Sequence, residues 1–305
     1  MAANPYFSII IPVYNRVAPL SRALKSIACQ DFVDFEVIVI DDGSSLAYAQ
    51  DIADTVDAVA IQNLQLIRNE KNINGAFARN VGIKAATGKY ICLLDSDDEW
   101  TENKLSVVHA YTCQKAPQFV YHQCRLASGK LIPHDAKRPN ELYTEYCFVR
   151  NKRVGAPTST ITILRDIALA NLFDPALAGH QDWDFCLRLE KVGIVFDFIK
   201  QPLCIRHQSS QDSVGQSIGF EYSLNFFHQR KSSFSVRSAS YFHRLTLLPK
   251  AIKELSLLHA FMRSKYFWLM FYFLKADAFK AVVNGTQKVS ALNKRMRLLN
   301  QQLKD

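Results

Sequence analysis

The chain has 305 residues, 49% of them hydrophobic and 21% charged, and a net charge of +9, a composition that excludes a disordered polymer and supports one large domain or two small ones. Seven scattered cysteines with no C-x-x-C pair argue against a disulfide framework or a zinc site and for reduced thiols, Cys92 and Cys186 being simple core residues. The charge is split: residues 1–225 hold 22 Lys/Arg against 25 Asp/Glu, and residues 226–305 hold 15 against 3, which sets a boundary near 225 and calls for an anionic partner for the tail.

Residues 7–13 read as a buried strand. No basic segment precedes them and Pro12 interrupts the run, so the N-terminus is expected to be a first strand and not a signal peptide. A short helix over 19–29 follows, then a β-branched strand over 35–40 ending in Asp41-Asp42-Gly43-Ser44. A helix over 46–56, a strand over 64–68, a helix over 75–86 with Gly88 as its left-handed cap, and a strand over 90–94 complete the first hundred residues. Near-continuous apolar strands separated by helices predict an α/β fold with a mostly parallel sheet covered on both faces. Ligands of such sheets bind outside the carboxyl ends of the strands, where Tyr14-Asn15, Asp41-Asp42 and Asp95-Ser96-Asp97 converge. Crowded carboxylates at Asp95, Asp97 and Asp98 repel one another unless a cation offsets them, which suggests metal-assisted chemistry on a phosphorylated substrate.

Residues 118–165 read as irregular strands and loops, with turns at Ser128-Gly129 and Ala156-Pro157. A helix over 180–192 carries Asp182 in its first turn and is closed by Gly193; strand character resumes over 194–205. The tail reads as helices: Leu245, Leu248, Ile252, Leu255 and Leu258 lie near one face, with Pro249 kinking or breaking the segment. An aromatic, apolar stretch over 263–283 and a basic helix over 293–303 follow. Such Lys/Arg-rich amphipathic helices suit an anionic bilayer surface, a helical lid on the first domain being the alternative. No run approaches the roughly 18 apolar residues of a membrane span, and no nucleic-acid-binding signature accompanies the charge.

The ordered series Ile11-Pro12-Val13-Tyr14-Asn15, Asp41-Asp42-Gly43-Ser44, Gly75 through Ala78-Arg79-Asn80, Asp95-Ser96-Asp97-Asp98 and Gln181-Asp182-Trp183 resembles the family 2 inverting glycosyltransferases over about residues 5–212. The resemblance implies a GT-A fold, a nucleotide-diphospho-sugar donor (UDP by family habit) and a divalent metal, Mn²⁺ or Mg²⁺. It implies that Pro12, Tyr14 and Asn15 line the nucleotide pocket and that Asp42 bonds the base, with Asp41 a structural strand end. Arg79 is implied near the donor phosphates, Asp95 and Ser96 at the ribose and sugar, and Asp97 on the metal with His207 as a further ligand. Asp182 is implied to be the catalytic base, with Asp184 as a decoy in the same helical turn; Gln181 departs from the Glu that many relatives carry there.

The expectation is therefore a metal-dependent glycosyltransferase domain over 1–225 with a basic tail over 226–305. Its acceptor would be a glycan or lipid-linked glycan for surface polysaccharide, at the cytoplasmic face of the cell membrane. A non-catalytic nucleotide-sugar or membrane-binding module is the alternative. A sugar nucleotidyltransferase or a nicotinamide enzyme is disfavoured because neither a Gly-rich triphosphate loop nor G-x-G-x-x-G follows the first strand.

Overall fold

A computed structural model of the chain describes residues 4–207 and 218–250. The chain divides into two compact units, Met1–Ser238 and Ala239–Asp305. The charge step near 225 falls inside a helix of the first unit, Phe220–Arg230. The tail segments over 263–283 and 293–303 lie outside the described residues.

The described residues form an eight-stranded sheet. In chain order the strands are β1 (Phe7–Val13), β2 (Phe35–Asp41), β3 (Leu64–Arg68), β4 (Tyr90–Leu93), β5 (Glu99–Trp100), β6 (Phe119–Leu126), β7 (Thr162–Leu164) and β8 (Phe196–Arg206), with spatial order β3-β2-β1-β4-β7-β6-β8-β5. β1 pairs in parallel with β2 and β4, and β2 with β3; β7 runs antiparallel to both β4 and β6, while β6 and β8 are parallel. The sheet is thus mostly parallel, with β5 and β7 reversed, as the alternation of apolar runs and helices requires.

The helices of the first hundred residues are α1 (Val17–Ala28), α2 (Leu46–Asp57) and α3 (Gly75–Ala85). α1 turns Leu20, Ala23, Leu24 and Ile27, an i, i+3, i+4, i+7 stripe, into the core with Ile9, Ile11, Val37 and Val39. α3 lies close on the sheet at Gly82, where a Cβ would stand 2.5 Å from Ile10 Cγ2 and 2.7 Å from Ile40 Cδ1. Its N-terminus is capped by Asn74, whose side chain accepts from Phe77 N at 3.0 Å.

Gly88 is not a left-handed cap. α3 ends in Ala86, whose backbone is extended, and Gly88 is absent from the glycines of positive φ. It is needed for space: a Cβ there would meet Ser8 Oγ at 2.7 Å and the Phe7–Ser8 backbone at 2.8 Å, while its N–H donates to Ser8 Oγ at 2.8 Å.

Among the described residues, three further α-helices follow in the first unit before Phe220–Arg230. α4 (Lys104–Lys115), a helix outside the elements expected from the sequence, follows β5, and α5 (Arg165–Ala170) follows β7. α6 (Gln181–Lys191) begins after His180 in the left-handed region at φ 57° and is closed by Gly193 at φ +82°. In the second unit the helix passes through Pro249 unbroken as far as Lys250, with a π-helical turn at His243–Leu247 immediately before it. The wider turn relieves the clash that proline makes with the carbonyl four residues earlier. No helix among the described residues is long and apolar enough to cross a membrane.

Candidate active site

Parallel pairing brings the carboxyl ends of β1, β2 and β4 together, and the loops there are tied by their side chains. Asn15, left-handed at φ 51°, accepts from Ser45 N at 2.9 Å through Oδ1, and its own N–H donates to Ser44 Oγ at 2.9 Å. Gly43, at φ +69°, makes the turn after Asp42, and a Cβ on it would fall 2.3 Å from the Lys71 backbone. Asp41 pairs with Arg68 and accepts from Ser44 N at 2.9 Å, so it does serve as a strand-end brace. Asp42 is buried and accepts from Asn69 Nδ2 at 2.8 Å, Asn72 Nδ2 at 3.1 Å and Ile73 N at 3.2 Å. Burial nevertheless holds its carboxyl above the ordinary range. Pro12 is half-buried below these loops, whereas the Tyr14 ring is exposed beside them.

The acidic run after β4 is matched by cations from four separate segments. Arg79, on α3, donates Nη2 to Asp95 Oδ1 at 2.5 Å and Nη1 to Gln181 Oε1 at 2.9 Å. Arg16, between β1 and α1, donates Nη1 to Asp97 Oδ2 at 2.8 Å. Arg22, on α1, holds the Asp97 carbonyl at 3.2 Å and pairs with Glu99 at 3.1 Å. Arg206, at the end of β8, stands 3.8 Å from Asp98, and the neighbouring His207 ring engages Glu99. Ser159 bridges the loop, donating Oγ to Asp98 Oδ2 at 2.6 Å and accepting from Asp95 N at 3.1 Å. Ser96 is buried within it.

Four arginines thus face the four carboxylates Asp95, Asp97, Asp98 and Glu99, and burial is what sets their titration apart. Burial, then Asp95, raise the Asp97 carboxyl despite Arg16, and burial carries Asp98 up to about 7. A hard divalent ion that takes one or two carboxylates and completes its shell with phosphate oxygens and water fits Asp97 and its surroundings. His207 is directed to Glu99 and not to Asp97 in this arrangement, and no set of three Asp, Glu, His or Cys side chains among the described residues is gathered to hold an ion unaided. A metal here therefore needs the donor's oxygens to complete its shell.

Asp182 opens α6 half-buried, close enough to Arg206, Asp95 and Arg79 for their charges to act on it. Burial is the largest influence and raises its carboxyl above the usual range, a setting suited to a proton acceptor. Asp184, two residues on, faces the other way: it is buried between Arg188 Nε at 2.8 Å and Arg230 Nε at 2.6 Å, a structural ion pair. Arg16, Ser159 and Arg206 were not singled out as site residues in the sequence. Arg16 directly follows a strand-end motif, which is a usable signal; Ser159, in a loop some sixty residues from its partners, offers none.

Against known families, residues 8–169 match the model for glycosyl transferase family 2. The amylovoran biosynthesis glycosyltransferase AmsB of Erwinia amylovora is 32% identical over 294 residues, 91% of this chain and 95% of that one. The chain belongs to glycosyl transferase family 2. It is a glycosyltransferase with the GT-A fold. WfgD of Escherichia coli, named a UDP-Glc:α-D-GlcNAc-diphosphoundecaprenol β-1,3-glucosyltransferase, is 26% identical over 210 residues, 69% of this chain and 79% of its own. Among solved structures, Staphylococcus aureus TarS 1–349 with UDP superposes with a TM-score of 0.61 at 17% identity, over 83% of this chain and 76% of that one. The mannosyltransferase PcManGT of Pyrobaculum calidifontis, with GDP-Man and Mn²⁺, gives 0.55 at 18%, over 98% and 81%. At these identities the two structures speak for the fold.

Proposed function

We propose that this glycosyltransferase moves a sugar, with inversion, from a UDP-sugar to a hydroxyl of a lipid-linked glycan in surface polysaccharide synthesis. The observation that carries the reading is the meeting, on one sheet edge, of the braced Asp42 carboxylate and the Asp95–Asp98 loop, the loop joined through Arg79 to Gln181 at the start of the helix that carries Asp182. AmsB supports the polysaccharide context, and WfgD, by its name, a UDP donor and a diphosphoundecaprenol-linked acceptor.

In this reading Pro12, Tyr14 and Asn15 line the nucleotide pocket, and Asp42, fixed by three donors, presents its carboxylate to the base. Asp95 and Ser96 face ribose and sugar, with Arg79 orienting Asp95. A divalent ion held by Asp97 and donor phosphate oxygens would neutralise the charge that builds on the departing diphosphate. Asp182 takes the proton of the acceptor hydroxyl from the face opposite the leaving group, and a single displacement inverts the anomeric carbon. Residues 1–225 form the catalytic part. The basic 226–305 segment holds the protein to the cytoplasmic face of an anionic membrane, where a lipid-linked acceptor resides.

Thermal unfolding with UDP, GDP and dTDP, each with and without Mn²⁺, tests the donor site. Stabilisation by UDP that depends on Mn²⁺ and disappears in Asp97→Ala is expected; ligand at a hundred times its Kd adds about 2.7 kcal/mol. No shift with any nucleotide would leave the family assignment standing and remove the proposed donor.

A further inference from the structure

The carboxylate assigned to the metal already has a cation on it. Arg16 Nη1 donates to Asp97 Oδ2 at 2.8 Å, and the same turn and helix supply Arg22, whose Nη2 holds the Asp97 carbonyl at 3.2 Å. The two arginines differ in what they fix. Arg22 grips the backbone and, through Glu99 at 3.1 Å, the next segment of the loop. On Asp97, Arg16 grips Oδ2, one of the two side-chain oxygens an incoming ion would use. Both members of the Arg16–Asp97 pair keep about a quarter of their side-chain surface open, 27% and 25%, so the guanidinium can change partner without disturbing the core. Its root is not free to wander: Asn15, immediately before it, is locked by Ser44 and Ser45 at the edge where the nucleotide pocket lies.

A guanidinium and a divalent ion compete for the same carboxylate lone pairs, and a diphosphate offers the displaced guanidinium a stronger, bidentate partner. We infer that Arg16 is a positioning residue that holds Asp97 in the donor-free protein, opposes binding of a divalent ion by itself, and passes to the donor diphosphate when ion and nucleotide bind together. The inference rests on the assignment of Asp97 to the metal and adds to it an order of events: ion alone binds weakly, ion and nucleotide bind cooperatively.

Binding of Mn²⁺ to the purified full-length protein, read from the spin-resonance signal of the free ion with and without UDP, tests this apart from turnover. Arg16→Gln is expected to bind Mn²⁺ alone roughly two- to fivefold more tightly, the factor that corresponds to losing one partly exposed ion pair. Its enhancement of Mn²⁺ affinity by UDP is expected to shrink by a similar factor. Arg16→Lys, which keeps the cation and loses the planar fork, is expected to hold metal-alone affinity near that of the unsubstituted protein while losing part of the UDP enhancement; it carries the test if Arg16→Gln folds poorly. Unchanged or weaker Mn²⁺ binding in Arg16→Gln, with Asp97→Asn still abolishing binding, overturns the competition and leaves the metal assignment intact. Mn²⁺ binding that survives Asp97→Asn overturns both.

Discussion

Gln181 Oε1 accepts a 2.9 Å hydrogen bond from Arg79 Nη1, joining the helix of the proposed base to the acidic loop. The amide is fixed at its other end, Nε2 donating to the Leu177 carbonyl at 2.6 Å, so its orientation is set. Gln181→Ala should free one side of Arg79 and with it the Asp95 carboxylate, lowering kcat/KM about tenfold, the size of one hydrogen bond to a charged group. Gln181→Glu would set a second negative charge beside Asp182 and move the acid limb of the pH–rate profile upward. An unmoved limb in that variant would show that position 181 does not act on the base.

The neighbouring carboxylates on α6 should separate cleanly. As the proposed base, Asp182 would work ionised, and burial raises its pKa; kcat should therefore rise with pH through a value above the ordinary carboxylate range and then level off. Asp182→Asn should remove that limb and lower kcat by about 10²–10⁴-fold while UDP still binds.

Asp184→Asn should act on the fold instead. It breaks a buried carboxylate's pairs with Arg188 and Arg230, a loss of about 3 kcal/mol. The unfolding temperature should drop by several degrees, with the pH–rate profile unchanged in shape. A profile that moves would give Asp184 a part in the chemistry.

The strands were legible because buried parallel strands are almost unbroken β-branched runs with Asp, Asn or Gly at their ends; β1, β2 and β3 fall within a residue of the pattern. The same strand-end logic gathered Asn15, Asp42 and Asp95 to one edge. What the pattern could not carry was pairing: nothing in the order of residues says that Arg16 reaches Asp97, that Ser159 spans Asp95 and Asp98, or that Glu99 takes the His207 ring. Gly88 was misread because a glycine after a helix serves either a left-handed turn or a close approach, and only the packing of Ser8 decides. Lys104, on a helix with little sequence signal, is wholly buried with its ammonium 3.7 Å from the Trp100 ring centroid, a placement no local pattern announces.

The basic tail offers a test independent of the site. The full-length chain should sediment with vesicles containing anionic phospholipid and remain in solution with neutral ones. Replacing Lys294, Arg295, Arg297 and Lys304 by Gln should weaken that binding by on the order of 1 kcal/mol per residue, as should added salt. Equal partition into both kinds of vesicle would argue against an electrostatic anchor.

Acid stability should report on His122, buried on β6 with Nε2 unpaired and Nδ1 at 3.0 Å from the Gln123 carbonyl. Burial, with the Lys104 charge nearby, pushes its pKa down to about 3 from an ordinary 6.5. The folded protein keeps the ring neutral while the unfolded chain takes up a proton below pH 6.5. This contribution is therefore fully present above 6.5 and is lost as pH falls from there toward 3, to a limit of about 5 kcal/mol. Carboxylates titrate over the same range, so the informative quantity is the difference between the unsubstituted protein and His122→Gln in urea unfolding from pH 7.5 to 4.5. The gap between them should narrow or reverse as pH falls; a gap independent of pH would mean that the ring titrates alike in the folded and unfolded chains.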